Sequence, residues 1–147
     1  MLKILYGILT AYIIGSIPAS FLAGRLKGVD VRKEGSGNVG ATNVLRTVGK
    51  LPALIVLIVD IFKGVVAVTI VASFFYSGDV PVNFNLFRAL LGISAIAGHN
   101  WSAFLKFKGG KGVATSFGVL MVLLPQAIAV AAIIFLITVA LTRYVSL

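Results

Sequence analysis

The sequence predicts an all-α protein, a polytopic bundle of about four transmembrane helices that forms one integral-membrane domain over residues 1–147. Hydrophobic residues make up 59% of the chain, its mean hydropathy is +1.08, and only 12% of its residues are charged. The apolar share is higher, and the charged share is lower, than in soluble domains. The charges are also segregated, because uncharged apolar runs over residues 4–24 and 112–142 alternate with short segments that hold most lysines and arginines.

Four apolar runs are long enough for a helix of about 20 residues to cross roughly 30 Å of hydrocarbon. They cover residues 4–24, 51–76, 86–105 and 113–141. The first run is long for the apolar region of a signal peptide and has no convincing cleavage site, so we expect it to be retained. Pro18 predicts a kink in the first run, and Pro125 predicts a kinked or tilted fourth span. Small residues should pack between helices at Gly7, Gly15, Ser16 and Gly64.

Basic residues predict the orientation of these helices. Most of them lie between the first and second runs or between the third and fourth, at Arg25, Lys27, Arg32, Lys33, Arg46 and Lys50, and at Lys106, Lys108 and Lys111. The remaining connection, residues 77–85, contains Asp79 and no lysine or arginine. The positive-inside rule therefore predicts two cytoplasmic loops and an N-terminus outside. Topology and anionic headgroups explain the net charge of +9, so we expect the lipid bilayer, and no nucleic acid, as a partner.

The chain offers few groups that could hold a metal ion. It has no cysteine, one histidine and four acidic residues. Disulfides, thiolate metal sites and a cysteine nucleophile are therefore excluded, and a carboxylate or histidine site is improbable. We expect no protein-bound metal and no cofactor.

The first unusual loop contains the segment GSGNVGATN, residues 35–43. Its glycines could point backbone N–H groups into one concavity, side-chain donors lie between them, and Arg46 could hold a phosphate bidentately. The candidate residues are Gly35, Ser36, Gly37, Asn38, Gly40, Thr42 and Asn43. The plainer alternative is a turn-rich loop with a helix N-cap at Thr42 or Asn43. The first six residues fit the G-x-G-x-x-G spacing of a Rossmann domain, but a charged juxtamembrane segment precedes them instead of a buried strand, so we do not expect dinucleotide binding.

The second unusual loop is KFKGGKGVATS, residues 106–116. Glycines at 109, 110 and 112 surround Lys111 and precede a helix whose N-terminus favours a bound anion. Gly112 occupies the Ser/Thr position of a Walker A motif, and no earlier glycine frame is present, so an ATPase is not supported. Two such loops on one membrane face indicate two phosphorylated ligands, or one ligand with two phosphates.

Three further residues are candidates for chemistry within the apolar runs. Asp60 and Lys63 interrupt the second run with i,i+3 spacing, which suits either a structural ion pair or a direct substrate role. His99 suits either an interfacial anchor or a group that hydrogen-bonds substrate or transfers a proton. An H-x-x-x-x-D acyltransferase mechanism is excluded for His99, because Phe104 occupies the position of the aspartate.

Three segments closely resemble the bacterial acyl-phosphate:glycerol-3-phosphate acyltransferase family. They are GSGNVGATNVLR at 35–46, DIFKG at 60–64, and GHNWSAFLKFKGGKGVATSFG at 98–118. The resemblance covers essentially the whole chain in order. It implies an enzyme of the bacterial inner membrane, active on the cytoplasmic side, that moves a fatty acyl group from acyl phosphate to the 1-hydroxyl of glycerol 3-phosphate. The products would be lysophosphatidic acid and phosphate, in the first step of phospholipid synthesis.

The resemblance also implies roles for individual residues. An essential serine and arginine of the family match Ser36 and Arg46, and a lysine associated with a substrate phosphate matches Lys111. We expect Ser36, Arg46, His99 and Lys111 to be catalytic. The expected substrate-binding residues are Gly35, Gly37, Asn38, Gly40, Thr42, Asn43, Asp60, Lys63, Lys108, Gly109, Gly110 and Gly112. Family members usually continue through another membrane segment and a third motif, which we expect to be absent from these 147 residues.

The chemistry of this transfer agrees with two phosphate-binding loops. Acyl phosphate is a mixed anhydride, so an enzyme must mainly bring two anions together and stabilise a developing oxyanion. We expect direct transfer of the acyl group, with the hydroxyl proton passing to the donor phosphate or to His99. As a further hypothesis, we expect a functional link to an enzyme that forms acyl phosphate. Two other functions stay open. A small anion transporter would use Asp60 and Lys63, and a non-catalytic lipid-binding subunit would use the basic loops.

Overall fold

The structure, a computed structural model, describes residues 1–78 and 80–143, without the side chain of residue 142. All regular secondary structure in these residues is helical, which confirms the predicted all-α class. The α-helices are α1 (Leu2–Ser16), α2 (Ala19–Leu26), α3 (Ala41–Thr47), α4 (Lys50–Val66), α5 (Ala72–Phe75), α6 (Phe84–Asn100), α7 (Val113–Leu123) and α8 (Pro125–Thr142). A π-helical segment, Ala67–Val71, joins α4 to α5, and a 3-10 turn covers Ala103–Leu105. Asp79, which entered the prediction of orientation, lies outside the described residues.

Within the described residues, two helical stretches are long and apolar enough to cross a membrane, judged by length and composition. They are Leu2–Leu26, which includes the break between α1 and α2, and Lys50–Phe75, which includes the π-helical segment. Val113–Leu123 and Pro125–Leu141 are shorter apolar helices. The apolar runs therefore fold as helices, whereas the count of four spans and their orientation stay predictions.

Prolines interrupt two of the predicted runs, as expected. Helix α1 ends at Ser16, and Pro18, which has no backbone N–H, precedes α2. Leu124 leaves the helical conformation (φ −137°, ψ 60°) between α7 and α8, and Pro125 is the first residue of α8. Both predicted runs are therefore interrupted beside their prolines.

The third run was predicted to stay helical to residue 105, and this boundary is wrong. Helix α6 ends at Asn100, and Trp101 has φ −121° and ψ 65°. The last carbonyls of α6, on His99 and Asn100, accept hydrogen bonds from backbone N–H groups of the second glycine-rich loop. Since that loop satisfies the end of the helix, the chain turns away before the 3-10 turn.

Glycines let the helices approach closely, as the small residues predicted. A Cβ on Gly15 of α1 would overlap the carbonyl of Ala95 in α6, and one on Gly64 of α4 would overlap the carbonyl of Thr115 in α7. Such backbone contact through small residues is typical of helices packed within a membrane. The pairs α1 with α6 and α4 with α7 thereby form the frame that carries both glycine-rich loops.

Candidate functional site

The first glycine-rich loop is held together from inside by Asn43. Its Oδ1 accepts a hydrogen bond from the Ser36 N–H (2.9 Å), and its Nδ2 donates to the carbonyls of Val31 (2.8 Å) and Glu34 (3.1 Å). Asn43 is 1% exposed. Gly35 has φ +59°, and a Cβ there would overlap the Asn43 amide. The Asn43 side chain therefore shapes the loop from its interior.

The glycine N–H groups of this loop are less available than the sequence suggested. The Gly37 N–H donates to the Glu34 carbonyl (3.0 Å), and the Gly40 N–H donates to the Asn38 carbonyl (3.1 Å). The expectation that both would point into an anion site is wrong, since local turns already use them. The N-cap at Thr42 or Asn43, part of the plainer alternative, is not found either, because α3 begins at Ala41 and Gly40 is its N-cap.

The second glycine-rich loop is attached to the end of α6. The N–H groups of Gly109 and Gly110 donate to the carbonyls of Asn100 and His99, each at 3.0 Å. These two N–H groups are therefore not open to a phosphate, contrary to expectation. The loop then reaches Gly112, the left-handed N-cap of α7 (φ +73°), which allows the chain to enter the helix. The first N–H groups of α7 lack intrahelical acceptors, as in any helix.

The two loops meet at Gly110. A Cβ on this residue would overlap both Nε2 of His99 and the carbonyl oxygen of Val39. Val39 belongs to the first loop and is 7% exposed. The absence of a side chain at Gly110 thus allows the end of α6, the second loop and the first loop to touch. The sequence predicted two loops on one face, and the structure places them in direct contact.

Asp60 and Lys63 form a buried ion pair beneath these loops. Lys63 Nζ lies 2.5 Å from Asp60 Oδ1, and the side chains are 4% and 3% exposed. Lys63 Nζ also donates to the carbonyl of Ile17. His99 Nδ1 lies 3.6 Å from Asp60 Oδ1. The structure therefore brings three of the predicted site residues together, with the lysine facing Asp60 and the break after α1.

A cavity of about 370 Å³, here called the central pocket, lies between the loops and helices α4 and α7. Its polar lining residues are Asn38, Thr42, Asp60, His99 and Lys111. Its apolar lining residues are Ala41, Leu57, Ile61, Val113, Ala114 and Phe117. Gly40 and Gly112 also line it, so seven of the predicted site residues share this space. A pocket with a lysine and an apolar wall suits a ligand that joins an anion to a hydrocarbon chain.

A second cavity, the outer cavity, lies beside the first loop and holds Arg46. It measures about 420 Å³, and its other lining residues are Gly28, Val29, Asp30, Glu34, Gly35 and Thr47. Asp30 Oδ2 forms an ion pair with Arg32 (2.7 Å). The hydrogen bond from the Arg32 guanidinium holds the pKa of Asp30 well below its ordinary value. Asp30 therefore stays ionised beside Arg46 under ordinary conditions.

The remaining predicted residues lie outside both cavities. Ser36 and Lys108 are exposed and line neither cavity. Gly109 and Gly110 line a small space next to the buried ion pair, together with Lys63. The structure thus divides the predicted site between the central pocket, the outer cavity, the small space at the ion pair, the interior of the first loop and exposed positions.

The apolar wall of the central pocket was missed by the sequence analysis. Leu57 and Ile61 lie one turn apart on α4 and flank Asp60, and Ala114 and Phe117 lie one turn apart on α7. The spacing relative to Asp60 was a usable signal, because residues at i, i+3 and i+4 share a helix face. Without the structure these side chains could not be separated from those that face lipid.

The sequence is similar to one described family over nearly its whole length. A family model described as glycerol-3-phosphate acyltransferase matches residues 5–147. Glycerol-3-phosphate acyltransferase 2 of Moorella thermoacetica is 49% identical over 144 residues, covering 97% of this chain and 70% of that protein. Glycerol-3-phosphate acyltransferase 1 of Deinococcus radiodurans is 48% identical over 145 residues, covering 99% and 70%. The chain thus spans about 70% of the length of these relatives.

The fold is also similar to that of a solved membrane protein. A crystal structure of PlsY (YgiH), an integral membrane glycerol 3-phosphate acyltransferase, in its glycerol 3-phosphate form has a TM-score of 0.83 and 36% sequence identity. The match covers 97% of this chain and 68% of the other. The lysophosphatidic acid form of PlsY matches with a TM-score of 0.80 and 35% identity.

Proposed function

The chain belongs to the glycerol-3-phosphate acyltransferase family. We propose that it transfers a fatty acyl group from acyl phosphate to the 1-hydroxyl of glycerol 3-phosphate, and that the reaction takes place at the central pocket. The protein is an integral membrane acyltransferase. The proposed products are lysophosphatidic acid and inorganic phosphate. The main observation behind this proposal is that Lys111 and an apolar wall line the same cavity between the two loops.

The polar and apolar lining residues of the central pocket match the two parts of an acyl phosphate. Lys111 supplies a positive charge, and Asn38 and Thr42 supply polar side chains from the first loop and the helix that follows it. Phe117 and its apolar neighbours on α4 and α7 offer a surface on which a hydrocarbon chain loses contact with water. A polar solute without a chain would leave that surface unused.

The proposed reaction is a direct acyl transfer between the two substrates. The 1-hydroxyl oxygen attacks the acyl carbon, the bond from that carbon to the phosphate oxygen breaks, and the hydroxyl proton passes to the departing phosphate. Phosphate is a good leaving group, so the protein mainly holds two anions close together in the right orientation. Lys111 and Arg46 are the proposed cations for this task, and we assign no covalent intermediate to Ser36.

Arg46 is the proposed ligand for the phosphate of the second substrate. It is exposed and lines the outer cavity, whereas Asn38 and Thr42 line the central pocket. A guanidinium group can hold two phosphate oxygens at once. Two phosphates flanking one loop would satisfy the need to bring like charges together without leaving either unpaired.

The proposed location of the reaction is the cytoplasmic face of the bacterial inner membrane. Both glycine-rich loops are rich in lysine and arginine, which the positive-inside rule places in the cytoplasm. Acyl phosphate is a reactive anhydride, so we also propose that an enzyme forming it works close to this site. A transporter that binds its solute through Lys63 is disfavoured, because that ammonium group is buried against two oxygen acceptors.

The test is the release of phosphate from a synthetic acyl phosphate by the purified protein in lipid nanodiscs, with and without glycerol 3-phosphate. We expect release that depends on glycerol 3-phosphate and an equal amount of lysophosphatidic acid by mass spectrometry. Glycerol in place of glycerol 3-phosphate should not support the reaction. Release without an acceptor, or a labelled acyl group trapped on Ser36, would contradict direct transfer.

A further inference from the structure

The buried pair of Asp60 and Lys63 connects three separate parts of the fold. Lys63 Nζ donates hydrogen bonds to Asp60 Oδ1 and to the carbonyl of Ile17, each at 2.5 Å. Taking two charges out of water is costly, and a buried pair often stabilises a protein no more than apolar side chains would. An ion pair in an apolar helix therefore suggests a task other than stability.

One side of the pair holds the break in the first membrane segment. Ile17 is the C-cap of α1, and the next residue, Pro18, has no backbone N–H to continue the helix. Carbonyl groups at such a break need other donors. Lys63 supplies one to Ile17, and the hydroxyl of Ser102 supplies one to Ser16 at 2.5 Å. The break is therefore fixed by side chains from α4 and from the segment after α6.

The other side of the pair faces His99. The distance from Asp60 Oδ1 to His99 Nδ1 is 3.6 Å, longer than a hydrogen bond but short enough for a strong electrostatic influence. A carboxylate at this place favours a proton on Nδ1, and the neutral imidazole then has no proton on Nε2. Nε2 lies on the side of the ring that contacts Gly110.

His99 in turn contacts the point where the two loops meet. Its backbone carbonyl accepts the N–H of Gly110 at 3.0 Å, and its ring occupies the space that a Cβ on Gly110 would need. The carbonyl of Val39 from the first loop closes the same space. An unbroken series of contacts thus runs from the break at Ile17 through Lys63, Asp60 and His99 to both glycine-rich loops.

We propose that Asp60 and Lys63 are positioning residues: they fix the His99 ring and, through it, the junction of the two loops that form the central pocket. Only the expected effect of these two residues on turnover rests on the proposed acyl transfer. Lys63 does not bind substrate in this account, because its ammonium group already has two acceptors and is 4% exposed. Asp60 reaches the central pocket wall, where it holds His99 in place.

The first test uses the fact that His99 is the single histidine of the sequence. Protein labelled with ¹⁵N-histidine gives one pair of imidazole nitrogen signals, which report the tautomer directly. In neutral imidazole we expect the proton on Nδ1, and in Asp60→Asn a shift of population toward the Nε2-protonated form. Asp30→Asn removes a carboxylate that pairs with Arg32 and does not line the central pocket, and it is the matched control. Identical imidazole spectra for the original protein and Asp60→Asn would overturn the proposal.

The second test separates positioning from a purely structural ion pair. The double variant Asp60→Lys with Lys63→Asp keeps an i,i+3 pair but places an ammonium group toward His99 and removes the donor to Ile17. We expect this variant to lose about 100-fold in kcat, the scale of a misplaced catalytic geometry, with little change in KM for either substrate. A folded double variant with the original kcat, or one altered only in KM for glycerol 3-phosphate, would overturn the proposal.

The spectroscopic test remains decisive where the double variant does not fold. Asp60→Asn keeps the size and one acceptor oxygen of the side chain, and its histidine signals can be read without any turnover. If the original protein shows no acyl transfer while Asp60→Asn shifts the histidine tautomer, the proposed function fails and the placement of His99 by Asp60 stands. The opposite pair of results would retain the function and remove the positioning role.

Discussion

The central pocket and the outer cavity are similar in size but differ in their walls. The central pocket, about 370 Å³, joins Lys111 to an apolar surface that includes Phe117. The outer cavity, about 420 Å³, places Arg46 beside the carboxylates of Asp30 and Glu34. Volume therefore does not identify the acyl-binding site. Asp60 also lines the central pocket, so the difference lies in the apolar wall: a cation next to an apolar surface is what suits a phosphorylated hydrocarbon chain.

The largest effect is expected for Lys111→Ala, which removes the ammonium group from the central pocket. A hydrogen bond to a charged group contributes about 1.5–3 kcal/mol. The value of kcat/KM for acyl transfer should therefore fall by about 10- to 100-fold. The measurement is the initial rate of phosphate release at varied acyl phosphate concentration.

Lys27→Ala is the control for that change in charge. Lys27 is exposed, is the C-cap of α2 and lines neither cavity. It should retain nearly the original rate. If both variants lose activity equally, the net positive charge of this face, and not the pocket, attracts the substrates.

The next largest effect is expected for Gly110→Ala, at the contact between the loops. The added methyl group would overlap the His99 ring and the Val39 carbonyl. Overpacking of this kind costs about 1–3 kcal/mol, so the melting temperature in detergent should fall and transfer should slow. Gly78→Ala is the matched control, since no atom lies within 4 Å of its added Cβ. An equal loss for both variants would mean that the loop contact is unimportant.

A smaller and more selective effect is expected for Arg46→Ala in the outer cavity. Because Arg46 is exposed, we expect a loss of about 1 kcal/mol, or roughly a fivefold rise in KM for glycerol 3-phosphate. KM for acyl phosphate should change less. Arg46→Lys should recover only part of the loss, since lysine lacks the bidentate fork. A larger change in KM for acyl phosphate would assign Arg46 to the other substrate.

The smallest effect is expected from the pair of Asp30 and Arg32 at the edge of the outer cavity. Arg32 lowers the pKa of Asp30 in the folded protein below its ordinary value of 3.8. The stabilising contribution is therefore complete above that value and is lost as pH falls through the folded pKa. Between about pH 5 and about pH 3 the melting temperature should fall slightly less for Asp30→Asn than for the original protein. Identical curves would show that this ion pair contributes nothing to stability.

Much of the fold could be predicted from composition and from prolines. Individual residue types in the sequence indicate three of its features: the apolar runs, the breaks at Pro18 and Pro125, and the close packing at Gly15. The end of α6 could not be predicted. Its last carbonyls bond to Gly109 and Gly110, and that contact depends on how a distant part of the loop folds back.

The sequence predicted which residues belong to the candidate site better than it predicted the contacts that those residues make. The glycine spacing located both loops, but it gave the wrong reason for Gly37 and Gly110. Their N–H groups bond within the protein, and Gly110 is needed because another side chain fills its space. Asn43 was expected to face substrate and instead holds the loop from inside. Residue types were enough to identify the two polar loops. The direction in which each N–H group or side chain of a loop points depends on tertiary contacts.

Protection of an introduced thiol tests most directly whether the central pocket binds the acyl donor. The sequence contains no cysteine, so Ala114→Cys in the central pocket and Val29→Cys in the outer cavity each introduce a single reactive thiol. The rate of maleimide labelling is measured with and without a non-hydrolysable acyl phosphonate. We predict slower labelling for Ala114→Cys and no change for Val29→Cys. Protection of Val29→Cys with unchanged labelling of Ala114→Cys would contradict the assignment of the central pocket.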